Sequence, residues 1–285
     1  MTRFRQYFIF VLPIALLLAN ALVWYVVWRE TPKGILTVAF LDVGQGDSIY
    51  IEAPNGNQVL VDGGAGRQVL RALGEVMPFY DHSIDVVMVT HPDADHIGGL
   101  PFVMDRFDVG AVLEPGVWSA TTAYQEFERR ASDGSHQHFL ARRGMRLKLD
   151  RDVALEILFP NQDTTGWETN RASIVARLVY GQNSFLLTGD SPIAIERQLL
   201  ALDPAGLQST VFKAGHHGSR TSTSLEYATA IEPKFGIISA GLNNRYGHPN
   251  QEVLDTLTKL GATILRTDQQ GTIIFKTDGL ALTHN

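Results

Sequence analysis

Four side chains able to bind a metal fall within six residues: His91, Asp93, Asp95 and His96 of His91-Pro92-Asp93-Ala94-Asp95-His96-Ile97-Gly98-Gly99, directly after the apolar run Asp85–Thr90. A β-rich run that breaks at His-Pro and resumes through Gly-Gly into helical spacing predicts a strand, a tight turn and a helix. His91 and Asp93 then point one way, while Asp95 and His96 point to a neighbouring spot, so one loop feeds one or two cations. Two divalent ions roughly 3.5–4 Å apart both activate water and neutralise charge on a hydrolysed phosphate or acyl group. The chain has no cysteine, which leaves His, Asp and Glu as the metal ligands and excludes disulfides, iron–sulfur clusters and a thiol nucleophile. A bridging carboxylate is offered by Asp190 in Leu186-Leu187-Thr188-Gly189-Asp190, at the end of another apolar run, and a further imidazole by His248 in Asn243-Asn244-Arg245-Tyr246-Gly247-His248-Pro249.

Twelve apolar β-rich runs lie between Ile35 and Lys276, with helical spacing at Gln68–Met77, Gly98–Phe107, Thr122–Ala131, Ile193–Leu202, Ser224–Ile231 and Gln251–Leu260. Short strands with tight turns come first, then strand-helix units, and this order occurs twice. Two such halves place two sheets face to face with helices outside, an α/β domain spanning residues 31–285.

Tyr7 to Trp28 runs for 22 residues without a charge, long enough to span a bilayer as one helix, with Tyr7, Trp24, Tyr25 and Trp28 near its ends. The run exceeds the 7–15 residues of a signal-peptide core, and Trp-Arg-Glu after it is a poor cleavage context, so residues 1–30 are read as an uncleaved anchor rather than a removed leader. Arg3 and Arg5 before the run keep the N-terminus cytoplasmic and put the C-terminal domain on the extracytoplasmic face. Thr31-Pro32-Lys33-Gly34 reads as a linker. The net charge is −6, and because residues 1–30 contribute +2 (three Arg, one Glu) the remainder stands at −8, which argues against indiscriminate nucleic-acid binding.

Taken together, six segments resemble the metallo-β-lactamase fold and, within it, the soluble domain of the ComEC/Rec2 competence DNA-uptake family. They are Leu41-Asp42-Val43-Gly44-Gln45-Gly46-Asp47-Ser48, Val61-Asp62-Gly63-Gly64, His91–Gly99, Thr188-Gly189-Asp190, Lys213-Ala214-Gly215-His216-His217-Gly218-Ser219 and Asn243–Pro249, in the family's order. The resemblance implies an αββα metallo-β-lactamase-like sandwich, here preceded by one transmembrane helix, and a metal-dependent hydrolase, a phosphodiesterase or nuclease acting on DNA through metal-activated water. One metal would rest on His91, Asp93 and Asp190, the other on Asp95, His96, Asp190 and His248, with either Zn²⁺ or Mn²⁺ suited to this oxygen-rich set. Asp95 belongs to the catalytic set with His217, and His216 as its alternative, protonating the leaving group or clasping the phosphate. Lys213, Ser219 and Asn244 are read as substrate contacts. Asp42, Asp47, Asp62 and Asn170 are read as supports that shape turns and hold the ligands.

Two alternatives stand beside this reading. One is an accessory module of the uptake machinery that binds DNA without cutting it; the other is hydrolysis of a thioester, lactam or lactone at the same centre. His82, His136, His138 and His284 are read as solvated surface residues.

Overall fold

The computed structural model describes residues 2–30 and 34–285, with side chains for 10–25 and 34–285. The chain divides into two units, Met1–Gly34 and Ile35–Asn285. In the first, α1 (Thr2–Glu30) carries exposed apolar side chains such as Phe10, Leu17 and Trp24. Among the described residues no helix is long and apolar enough to cross a membrane. The expected linker lies, apart from Gly34, outside the described residues, as do the side chains of Arg3, Arg5, Tyr7 and Trp28.

The second unit begins with three antiparallel strands, β1 (Leu36–Phe40), β2 (Ile49–Glu52) and β3 (Gln58–Val61), followed by α2 (Gln68–Val76) and β4 (Ser83–Met88). Then come α3 (Ala94–Ile97), α4 (Leu100–Arg106), β5 (Asp108–Glu114), α5 (Thr122–Ala131) and β6 (Gln137–Leu140). The second half opens on β7 (Arg146–Lys148), β8 (Val153–Phe159), β9 (Val175–Tyr180) and β10 (Asn183–Leu187). It continues with α6 (Ile193–Leu202), β11 (Val211–Lys213), α7 (Leu225–Ile231), β12 (Phe235–Ile238), α8 (Gln251–Lys259), β13 (Thr263–Arg266), α9 (Thr267–Gln270), β14 (Ile273–Thr277) and β15 (Leu282–His284).

These strands form two sheets, ordered β15-β14-β1-β2-β3-β4-β5-β6 and β13-β12-β11-β10-β9-β8-β7. Inward residues of both, among them Val38, Ile51, Val61, Leu155, Leu178, Phe185 and Phe275, make one central core. The helices α2, α4 and α5 close the outer face of the first sheet over Leu60, Val87 and Val112; α6, α7 and α8 close the second over Leu186, Phe212 and Ile238. Burial on both faces explains why β3, β10 and β11 carry consecutive apolar residues (Val59-Leu60-Val61, Phe185-Leu186-Leu187, Val211-Phe212) rather than alternating ones. Thr121 and Ser224 cap α5 and α7 by accepting from the backbone N–H groups of Tyr124 and Tyr227. The architecture is the expected αββα sandwich.

Three strands carry no apolar signature. All of β6 is exposed, while β7 and β15 are three-residue pieces at or beside sheet edges, where polar side chains discourage further pairing. His136 and His138 are not free surface residues: the ring nitrogens of His136 lie 3.1 and 3.0 Å from the carbonyls of Val109 and Arg130, and His138 pairs with Glu114 at 3.1 Å.

The parallel strands bring their C-terminal ends to one edge. The loops after β3 and β4 come from the first sheet, and those after β10, β11 and β12 from the second. The two layers are tied at this edge by the Ile174 N–H, which donates to the Thr90 carbonyl at 2.9 Å. Close backbone packing holds the His91–Gly99 loop: a Cβ on Gly99 would lie 1.9 Å from the Gly63 carbonyl oxygen. Gly99→Ala is therefore expected to cost about 1–3 kcal/mol of stability, read from denaturant unfolding. An unchanged midpoint would show that the loop yields freely.

Candidate metal centre

His91 follows the end of β4, and its ring is fully buried. Thr90 Oγ1 lies 3.1 Å from His91 Nδ1, which leaves Nε2 to face the carboxylates of Asp93 (3.7 Å) and Asp190 (3.9 Å). His96 is held by Asp62: its Nδ1 stands 2.8 Å from Asp62 Oδ2 and its Nε2 3.4 Å from Asp190 Oδ1. Asp62 sits at φ 58° and also accepts from the Thr90 N–H (2.8 Å) and Oγ1 (2.6 Å), so a strained turn fixes two histidines at once. His217 Nδ1 lies 3.0 Å from the Ser239 carbonyl, and its Nε2 3.4 Å from Asp95 and 3.5 Å from Asp190.

Five buried atoms of these residues and Asp47 have no hydrogen-bond partner: Nε2 of His91, His96 and His217, Oδ1 of Asp190 and Oδ1 of Asp47. One ligand atom from each of Asp47, His96, Asp190 and His217 lies within 4.8 Å of the others. Unpaired lone pairs of this density are costly unless a cation joins them, and imidazoles oriented through the opposite nitrogen are how metal ligands are held. The residues fit a divalent cation.

The charge balance points the same way. Asp47, Asp62 and Asp190 are buried together with the Lys213 ammonium, which is paired to Asp47 and lies 3.9 Å from Asp190 Oδ1. Burial pushes Asp47 up, but Lys213 and His217 outweigh it and bring the carboxyl down to about 2. Burial likewise opposes a charge on His217, yet Asp190 and Asp47 raise it to about 9; His96 is raised well above its ordinary value by Asp190 and Asp62, again against burial. His91 goes the other way, pulled down to about 3 by burial and the neighbouring His96.

The structure gathers most of the expected site residues and rearranges several roles. His91, Asp93, Asp95, His96 and Asp190 lie around one centre. His217, expected as a proton donor, is instead buried inside it. His248, expected as a ligand, stacks on Tyr246 (22° between rings, 5.7 Å) and meets His216 edge-on; its Nδ1 is buried without a hydrogen-bond partner, and among the described residues no ion pair joins it to a carboxylate. Lys213 has no exposed surface and is committed to Asp47, which corrects its reading as a substrate contact. Asn244 spends its amide on its own loop, donating to the Gly241 and His248 carbonyls and accepting from the Tyr246 and His248 N–H groups. Ser219 is nearly buried, with Oγ 3.0 Å from Thr221 Oγ1.

Asp42 shapes its turn as expected, accepting from the Gly44 N–H at 3.2 Å. Asn170 stands in the one-turn helix before β9, its Oδ1 buried without a hydrogen-bond partner. Asp47 was read as a support and lies within the cluster itself. The two adjacent histidines part company because His216 and His217 are both left-handed (φ 50° and 55°), followed by Gly218 at φ 81°. One ring turns inward and the other toward the mouth, with His216 Nε2 3.7 Å from Asp190.

A family model described as the metallo-beta-lactamase superfamily matches residues 41–241. The chain belongs to that superfamily. Its members are in general metal-dependent hydrolases, in keeping with the buried His/Asp cluster. Among superfamily relatives, ComE operon protein 3 of Bacillus subtilis is 32% identical over 256 residues, covering 84% of this chain and 33% of that protein. Competence protein ComA of Neisseria gonorrhoeae is 29% identical over 251 residues, covering 87% of this chain and 33% of that protein. The chain thus spans about a third of the length of these curated relatives. Among solved structures, the metallo-beta-lactamase fold protein YhfI from Bacillus subtilis superposes with a TM-score of 0.53 at 11% identity, covering 81% of this chain and 96% of that one.

The raised values of His96 and His217 mean that the cation-free centre holds protons at neutral pH, and a cation must displace them. Mn²⁺ or Zn²⁺ binding at pH 7 is expected to release about two protons, measured by calorimetry in buffers of different ionisation enthalpy, with affinity rising as pH increases toward 9. Affinity independent of pH across this range would contradict the arrangement.

Proposed function

We propose that the chain is a membrane-anchored, cation-dependent phosphodiesterase acting on DNA at the extracytoplasmic face, in the service of DNA uptake. The observation that carries the reading is the buried cluster of Asp47, His96, Asp190 and His217, with one ligand atom of each within 4.8 Å of the others and the loop of His216 and its hydroxyl-bearing neighbours beside it. The likeness to a protein named for competence, ComA, supports DNA as the substrate, and the 22-residue uncharged run supports the anchor.

Divalent cations, when held among His91, Asp93, Asp95, His96, Asp190, His217 and Asp47, would supply Lewis-acid polarisation of the phosphate and a lowered pKa for water. The chain's own groups do the rest. Asp62 and Thr90 fix the rings of His96 and His91; Ser239 fixes that of His217. His216 is partly exposed, borders Asp190 and lies 3.2 Å through Nδ1 from Thr221 Oγ1, so Nε2 can hand a proton to the departing alkoxide. The left-handed Gly218 is buried, and a Cβ there would lie 2.6 Å from Pro249 Cβ, so its lack of a side chain lets this loop pack on the turn after His248.

Mn²⁺- or Zn²⁺-supported cleavage of labelled single-stranded and duplex DNA by the full chain tests the reading. Asp190→Ala and His217→Ala are expected to lose cation binding and cleavage together, whereas His216→Ala keeps the cation and loses roughly 10²–10⁴-fold in kcat. Tight DNA binding with no cleavage under any of these cations would instead identify a binding module. For the anchor, the full chain is expected to stay in the membrane pellet after alkaline carbonate extraction, and release into the supernatant would remove that part of the proposal.

A further inference from the structure

A cavity of about 430 Å³ opens against the metal centre. Asp95, which lies 3.4 Å from His217 Nε2, forms part of its lining together with Gln45, Ala65 and Ala94 from the first half of the chain. The loop after β12 adds Arg245 and Tyr246. Its volume falls in the range of small-ligand sites, and its lining combines two methyl groups, an aromatic ring, a guanidinium, two amides and the Asp95 carboxylate on the side of the metal centre.

The aromatic side is built as a rigid platform. Asn244 pins the backbone of Tyr246 and His248, the Arg245 guanidinium lies 4.9 Å from the Tyr246 ring centre, and Arg245 Nη2 donates to the Tyr246 hydroxyl at 2.7 Å. The Tyr246 ring, half exposed, stacks on His248, and His248 meets His216, whose Nε2 is 3.7 Å from Asp190. A continuous series of flat groups thus connects the cavity to the reacting centre. On the other part of the lining, Gln45 Oε1 is occupied by the Gly241 N–H, while its Nε2 has no partner among the described residues.

We propose that this cavity receives one unpaired nucleobase, from the nucleotide adjoining the phosphate held at the metal centre, with Arg245 and Tyr246 as its stacking surface and Gln45 Nε2 as a donor to its edge. The inference rests on the phosphodiesterase reading and narrows its substrate to a single strand, because a base still paired and stacked in duplex has no free face to offer. An apolar acyl group has no use for a guanidinium and an unpartnered amide donor, whereas bases stack on both aromatic rings and Arg irrespective of sequence.

The test compares three fluorescent probes, a 12-mer oligothymidylate, the same oligomer with abasic sites throughout, and a 12-base-pair duplex, by anisotropy with the full chain in Ca²⁺. Wild type is expected to bind the oligothymidylate most tightly. Tyr246→Ala is expected to weaken that binding roughly tenfold to a hundredfold while leaving the abasic probe unchanged, and Tyr246→Trp to preserve it. Arg245→Met is a second variant on the same exposed loop, expected to act in the same direction as Tyr246→Ala. Equal wild-type affinity for the thymidylate and abasic probes, tighter duplex binding, no oligothymidylate binding at all, or equal losses on both single-stranded probes in Tyr246→Ala would each overturn the proposal. A cleavage assay run in parallel separates the two readings: no turnover with base-dependent binding defeats the phosphodiesterase alone, and turnover with base-independent binding defeats the cavity assignment alone.

Discussion

Burying carboxylates without enough cations to match them is the constraint around which this domain is arranged. Asp47, Asp62 and Asp190 lie out of water together, and the one ammonium among them, Lys213, is committed to Asp47. An unpaired charge in such a place carries a penalty of several kcal/mol. The fold meets it in two ways, by taking up protons on His96 and His217 and by leaving a set of lone pairs that a divalent ion completes. The strained Asp62, the left-handed histidine pair and the tightly packed glycines are local costs that hold this arrangement in register.

The same constraint accounts for part of the domain's acidity. Asp47, Asp62 and Asp190 lie inside the centre, where Lys213 offsets part of their charge and a divalent cation would offset more. Arg245, by contrast, is exposed and lies 4.9 Å from the Tyr246 ring centre.

Much of this was legible in the residues. His91–His96 and Asp190 follow strands that end in apolar residues, Val86-Val87-Met88 and Phe185-Leu186-Leu187, which made those strands readable. The polar strands β6, β7 and β15 were not, because an edge obeys pairing and solubility rather than burial. Within the centre, ligand types and order were readable but not their depth. That His217 rather than His248 enters the cluster depends on consecutive left-handed residues, for which a His-His pair carries no signal. That Asp47 lies inside follows from backbone contacts across the fold, the Asp47 N–H donating to the Asp95 carbonyl and the Gly64 N–H to the Asp47 carbonyl. Lys213 looked like an anion contact until its strand proved to run through the interior.

The ligand set is divided between the two layers, with His91 and His96 on loops of the first sheet and Asp190 and His217 on loops of the second. Neither layer alone therefore owns more than half of the ligand set, and a cation held at the centre would act as a rivet between the two sheets.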